Sequence, residues 1–184
     1  PAAPSQRTTL HGPTMGTRWS VTLDADSTLN LAVLRQDLAT AVEQVDDQMS
    51  PWKPSSDLVR LNRAPIGTWV NLPAEMLEVL DSALDVQRLS GGAFDPGVGA
   101  LVDAWGFGAV RDAPDAAAIR AARQPMPATA HPAQQTLELD RPAGRARKHA
   151  AVQLDLCGIA KGYGVDCMAA VLQRHGVPHA LAAL

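Results

Sequence analysis

Cysteine is scarce in this chain: there are two in 184 residues, Cys157 and Cys167. Two thiols make no disulfide framework, and their spacing matches no zinc pattern. A small thiol on a strand-to-helix unit reads by default as packing, with a pair across that unit left open in an oxidising compartment. Long apolar runs are missing too, since none approaches the roughly 18 residues of a membrane-spanning helix. Nor is there an excess of positive charge. The net charge is −3, which argues against a nucleic-acid binder, and the basic cluster of Arg141, Arg145, Arg147 and Lys148 reads as a solvated hairpin or loop. His11, His131, His149, His175 and His179 fall in turns, loops and element ends without ligand spacing, and the helix dipole accounts for His175. No Ser-His-Asp or Cys-His constellation emerges, so no catalytic residue is assigned. No internal repeat is apparent.

What is present suits one well-buried domain: 46% hydrophobic and 19% charged residues over a length too short for two comfortable domains. Trp19, Val21 and Leu23 alternate as a half-buried strand should. The turn Gly12–Thr17 links it to a short strand over Thr8–Leu10. From Leu29 to Met49 apolar residues recur three or four apart, which predicts an amphipathic helix. Pro51 and Pro54 forbid a helix until Ser55 or Ser56 can cap one over Leu58, Val59 and Leu61. Trp52 is thereby held on a proline-stiffened loop, as a lid on the core or as a stacking platform for a planar ligand. Thr68–Leu72 reads as a strand. Pro73 opens a helix that Gly91 and Gly92 stop. A short surface helix follows over Asp112–Gln124, then a loop over Gln124–Gln135, then a hairpin of Thr136–Asp140 and the stretch near Lys148–Val152. The last strand pattern, His179–Leu184, breaks off without a downstream partner and is expected to belong to a longer protein. Strands and helices come in clusters rather than in strict alternation, so the class is α+β.

Two stretches ask for more than packing. Six glycines between Gly91 and Gly108 imply positive φ values or the close approach of another group to the backbone. In Val152–Met168 an apolar strand pattern (Val152, Leu154, Leu156) passes Asp155 and Gly158 into a helix over Ala160–His175, with Lys161 in its first turn. Such a strand-to-helix turn offers free N–H groups to an anion, or it serves only as a tight turn.

Several motifs taken in order resemble the ApbE family, the FAD:protein FMN transferases, also described as thiamine biosynthesis lipoproteins. They are Met15-Gly16-Thr17, then Met49-Ser50-Pro51-Trp52 with Ser56-Asp57-Leu58-Val59-Arg60-Leu61-Asn62. After these come Gly91-Gly92-Ala93-Phe94-Asp95-Pro96, Trp105-Gly106-Phe107-Gly108, and Asp155-Leu156-Cys157-Gly158-Ile159-Ala160-Lys161-Gly162-Tyr163. Their span, Met15 to Tyr163, is similar to the N-terminal part of the family domain.

The resemblance implies an ApbE-like (T-fold-like) α+β domain over residues 14–184, incomplete at its C-terminus, after a leader at 1–13. It implies an enzyme that uses FAD and Mg²⁺ to move FMN onto a threonine hydroxyl of a target flavoprotein, releasing AMP. Hydrolysis of FAD to FMN and AMP, or FAD binding without turnover, are the alternatives. Matched residue by residue, Met15, Trp52, Ala93, Phe94, Asp95, Asp155 and Lys161 fall on FAD-contacting positions. Gly158 falls on the position whose carbonyl approaches the metal. Trp52 replaces a common tyrosine, Pro51 a frequent Ser or Thr, and Cys157 a frequent Gly or Ser. Further metal ligands are expected from a second chain or a C-terminal segment. Family members with a leader work in the periplasm or cell envelope, which implies membrane anchoring through a processed N-terminus, and PAAPSQRT is compatible with one.

Overall fold

The computed structural model describes residues 6–25, 28–107, 113–123 and 136–184. The expectations for the extreme N-terminus, Gly108, the cap at Asp112, the loop over Gln124–Gln135 and His131 lie outside these residues. The chain divides into two compact units, the first made of Pro1–Asp46 with Ala160–Leu184, the second of Asp47–Ile159.

In the first unit β1 (Gln6–Thr14) and β2 (Thr17–Ala25) form an antiparallel hairpin. The two residues between them, Met15 and Gly16, have φ of 45° and 69°, the left-handed pair that a two-residue turn between twisted strands requires. The ladder thus runs through Gly12 and Pro13, paired with Trp19 and Arg18, where the sequence suggested a turn. The sheet order β1-β2-β6 explains the difference. An edge strand tolerates a residue without an N–H. Gly12 has its own reason, because a Cβ there would sit 2.7 Å from Trp19 Nε1.

β2 is the central strand, and its alternation drives Trp19, Val21 and Leu23 inward. They join one apolar cluster with Leu34, Leu38 and Val42 of α1 (Leu31–Met49) and Met168, Val171 and Leu172 of α6 (Cys157–Arg174). The Asn30 side chain starts α1 by accepting the Val33 N–H at 3.1 Å. His175, just past α6, lies 2.7 Å from Asp37 Oδ2 of α1, so its place is set by a side chain and not by the dipole alone. β6 (Ala180–Ala183) pairs antiparallel with β2.

The second unit opens with a serine-built turn. Ser50 Oγ accepts the N–H groups of Trp52 and Lys53, each at 3.2 Å. Ser56 donates its hydroxyl to Ser50 O at 2.7 Å and accepts the Val59 N–H, capping α2 (Asp57–Arg63). β3 (Val70–Asn71), β5 (Arg145–Lys148) and β4 (Leu137–Asp140) make an antiparallel sheet in that order. The later hairpin strand therefore sits at Arg145–Lys148 and not at Lys148–Val152. Pro73 is the cap residue before α3 (Ala74–Leu89) rather than its first helical position, and Gly91 and Gly92 follow the helix at positive φ. α4 (Gly99–Ala104) and α5 (Ala116–Arg123) are short.

Cys157 and Cys167 lie on one helix. Ten residues of α6 at the usual helical rise separate them by about 15 Å, too far for a disulfide. Neither is fully buried.

Candidate functional site

Val152–Leu156 is not a ladder strand. Among the described residues its β-bridging is confined to Val98 with Gln153, parallel. A side chain takes the place of the missing neighbour: Asn62 Nδ2 donates to Leu154 O at 2.9 Å, and Leu154 N–H donates to Asn62 Oδ1 at 2.8 Å. Primary amides suit this because they offer an acceptor and donors in one plane, as a peptide group does.

Beyond Leu154 the chain meets the glycine-rich loop. Asp155 N–H donates to Pro96 O at 2.8 Å. Each side of that bond carries the same device. Asp95 Oδ1 accepts the Gly97 N–H at 2.7 Å, and Asp155 Oδ1 accepts the Cys157 N–H at 2.8 Å. An aspartate bonded to the N–H two residues on closes an Asx turn, and here two such turns are joined through a backbone hydrogen bond. Gln87 Nε2 also donates to Asp95 Oδ1, at 2.7 Å. The second oxygen, Oδ2, of each carboxylate makes no hydrogen bond among the described residues. Both carboxylates are thus fixed in direction, each with an oxygen to spare.

This cap also explains a difference from expectation. By accepting the Cys157 N–H, Asp155 starts α6 at Cys157 and not at Ala160. Lys161 consequently lies beyond the first turn, on an exposed face. Gly158 becomes the second helical residue. A Cβ on it would sit 3.0 Å from Phe94 Cε2, so the missing side chain admits the Phe94 ring. Phe94 is half-buried, Trp105 is 40% exposed and Phe107 70% exposed. Phe94 is therefore a contact residue of the loop, while the other two are surface aromatics.

The second unit also holds a cavity of about 520 Å³ whose lining includes Trp52, Asn62, Lys148, Leu154 and Asp155. That is within the usual size range for small-molecule sites. Of the residues singled out in the sequence, the second unit brings together Phe94 with Gly158, Asp95 with Asp155 through Pro96, and Trp52 with Asp155 along the cavity wall. Ala93 is exposed on the same loop. Met15 and Lys161 belong to the first unit, where Met15 Cε approaches to 3.9 Å of the space a Cβ on Gly164 would fill.

Lys148 is a residue whose role the sequence reading missed. It is 5% exposed, and its Nζ donates to Asn62 O at 2.5 Å. Burial holds its pKa below that of an ordinary lysine, because desolvation disfavours the charged form. The signal was present in the alternation of Arg145, Ala146, Arg147 and Lys148, which puts Lys148 on the inner face with Ala146. A solvated hairpin describes its neighbours but not this residue. Asn62, quoted within a motif, carried no role at all until its clamp on Leu154 became visible.

No group of three His, Cys, Asp or Glu side chains among the described residues could hold a metal ion. The Gly158 carbonyl and the spare oxygen of Asp155 do not amount to a magnesium site by themselves, since that ion favours octahedral oxygen coordination usually including a carboxylate.

Comparison with known proteins agrees with the motif order. The family model described as "ApbE family" matches residues 15–184. The chain is 31% identical over 179 residues to the FAD:protein FMN transferase of Vibrio cholerae, covering 95% of this chain and 51% of that protein. With the protein of the same name from Klebsiella pneumoniae it shares 30% identity over 184 residues, covering 96% and 51%. Among solved structures, the flavin transferase ApbE from Vibrio cholerae superposes with a TM-score of 0.86 at 28% identity, over 98% of this chain and 58% of that one. The apo flavinyl transferase ApbE of Pseudomonas stutzeri gives 0.83 at 31%, over 99% and 60%. The chain spans about half the length of the curated relatives it matches.

Proposed function

The chain belongs to the ApbE family, and from that membership we propose that it supplies the FAD-binding half of an FAD:protein FMN transferase. The observation that carries this reading is the pair of joined Asx turns. Two family motifs nearly sixty residues apart in sequence meet at Pro96 and Asp155, and each holds an aspartate whose Oδ2 makes no hydrogen bond among the described residues.

In this reading the hydroxyl oxygen of an acceptor threonine attacks the phosphorus of the FMN half of FAD. The bond from that phosphorus to the bridging oxygen breaks, AMP departs with that oxygen, and the hydroxyl proton passes to solvent water. Such a transfer depends on positioning and charge neutralisation more than on covalent help. Trp52 offers a π-face to an FAD ring. Asp95 and Asp155 accept hydrogen bonds from FAD hydroxyl or ring N–H groups. When bound, Mg²⁺ would neutralise phosphate charge. Action in the periplasm or at the cell envelope, on an acceptor flavoprotein, belongs to the same proposal.

The test incubates the full-length protein that contains this chain with FAD, Mg²⁺ and a threonine-bearing acceptor domain. Flavin fluorescence that stays with the acceptor through a denaturing gel is the expected result. FMN and AMP in solution with an unlabelled acceptor would replace transfer with hydrolysis, and intact bound FAD would replace it with storage. No FAD binding at all would overturn the assignment.

A further inference from the structure

Beside the cavity that holds Trp52 and Asp155 lies a second groove, of about 610 Å³, lined in part by Arg60, Arg63, Trp69 and Asn71. Pro54 and Arg63 line both hollows, so the two are continuous along one wall of the second unit. Among the described residues, the charged ones lining this groove are the two arginines. No assigned role of the flavin site uses them.

Their partners differ. Arg60 is spent: it donates to Asn71 O at 2.8 Å and pairs with Asp57. By covering the outward carbonyl of β3, the edge strand of its sheet, Arg60 also blocks strand addition there. Trp69 is engaged as well, with the guanidinium carbons of Arg145 and Arg147 each 4.4 Å from its ring centroid. Those two arginines pair in turn with Asp140 and Glu138. Arg63 is different. It is exposed and has no hydrogen-bond or ion-pair partner among the described residues. A ligand in this groove therefore meets the engaged guanidinium of Arg60 and one unengaged fork, Arg63, suited to a carboxylate.

We propose that this groove docks a carboxylate-bearing, extended segment of the acceptor protein and that Arg63 reads its acidic residue at the entrance to the flavin cavity. The proposal rests on the transferase reading for the identity of the partner. Charge complementarity selects the occupant: the chain as a whole is acidic, at −3, yet among the described residues no acidic one lines this groove. A planar nucleotide is less well served, since the groove's aromatic ring is already engaged by arginines.

The test uses the full-length protein and two short fluorescein-labelled peptides, each with one threonine, one aspartate-rich and its twin with asparagine at every aspartate. Fluorescence anisotropy should show the aspartate peptide binding about tenfold more tightly at low salt, with the preference shrinking as salt rises. Arg63→Glu should bring the ratio to about one, and Arg63→Lys should retain part of it. Arg35→Glu, on the exposed face of α1, should leave it intact. Equal binding of the two peptides, or an unchanged ratio in Arg63→Glu, would overturn the proposal. So would tighter binding of a single-stranded oligonucleotide than of the aspartate peptide. FAD binding is measured in parallel by dialysis: its absence refutes the transferase reading, while the peptide ratio judges the groove by itself.

Discussion

Gly99 and Gly162 are both helical glycines, yet replacing each with alanine should have opposite effects. A Cβ on Gly99 would stand 2.7 Å from Gln153 O, 2.8 Å from Gln153 Cγ and 3.0 Å from Gln153 C. The Cγ can swing away, but the carbonyl is backbone. Ordinary contact begins at 3.4 Å, so α4 and the Gln153 segment must part by about 0.7 Å. Overpacking of that kind costs about 1–3 kcal/mol. The displacement also breaks the 2.9 Å bond from Gly99 N–H to Gln153 O, adding about 1 kcal/mol. Against this stands the helix preference of alanine over glycine, up to about 1 kcal/mol. Steric loss wins, by about 2 kcal/mol. At about 2–4 °C per kcal/mol for a chain of this size, Tm should fall by about 4–8 °C. Gly162, in α6, has nothing within 4 Å of its would-be Cβ, so only the helix gain remains and Tm should rise by about 2–4 °C. Calorimetry of the two variants beside the parent gives the comparison. A Gly99→Ala protein as stable as the parent would refute the close approach of α4 to Gln153, and with it the support for Asp155.

Asp155→Ala and Asp95→Ala should each weaken FAD binding, measured by dialysis, but they also remove turn acceptors; Asp155→Asn and Asp95→Asn keep the turn oxygen, so a fall in affinity at parental Tm would assign the effect to charge. Cys167→Ala should leave FAD binding within about twofold, since this thiol has no assigned role beyond helix packing; a larger loss would relocate the ligand onto the first unit. Lys148 has its folded pKa depressed by burial, so in the interval between that value and an ordinary lysine the unfolded chain holds more protons and stability climbs with pH. Urea midpoints taken from neutral to alkaline pH should show this climb in the parent and its loss in Lys148→Met, and parallel profiles would contradict the burial. Met15→Asn should raise Tm slightly, because asparagine tolerates φ of 45° better, and FAD affinity measured beside it reports whether the strained methionine serves the ligand.

Local signals were legible where one residue type does one job. The three-and-four spacing of Leu34, Leu38, Val42 and Val45 gave α1 its buried face, and Ser56 behind Pro54 gave α2 its cap. The order of family motifs singled out Phe94, Asp95, Asp155 and Gly158, which the second unit brings together at Pro96 and the Phe94 ring. What was hidden depends on partners far away in sequence. Val152, Leu154 and Leu156 alternate like a sheet strand, but the pairing group at Leu154 is a side-chain amide, which no periodicity announces. The same bonding moved the start of α6, since an Asx turn at Asp155 looks in sequence like an ordinary acidic residue near a helix. Lys148 was read by its charge when its register on β5 decided its environment.

The Asn62 clamp has a kinetic consequence. Asn62 and Leu154 are 92 residues apart in sequence, so joining them closes a loop about half the chain long, a contact whose entropy cost delays it behind local helices and hairpins. The groups that orient Asp155 should accordingly be among the last to lock during refolding and among the earliest to open in the native state. The Leu154 amide proton, sealed by Asn62 Oδ1, is a clock for that event: its exchange with deuterium times the opening of the candidate site residue by residue.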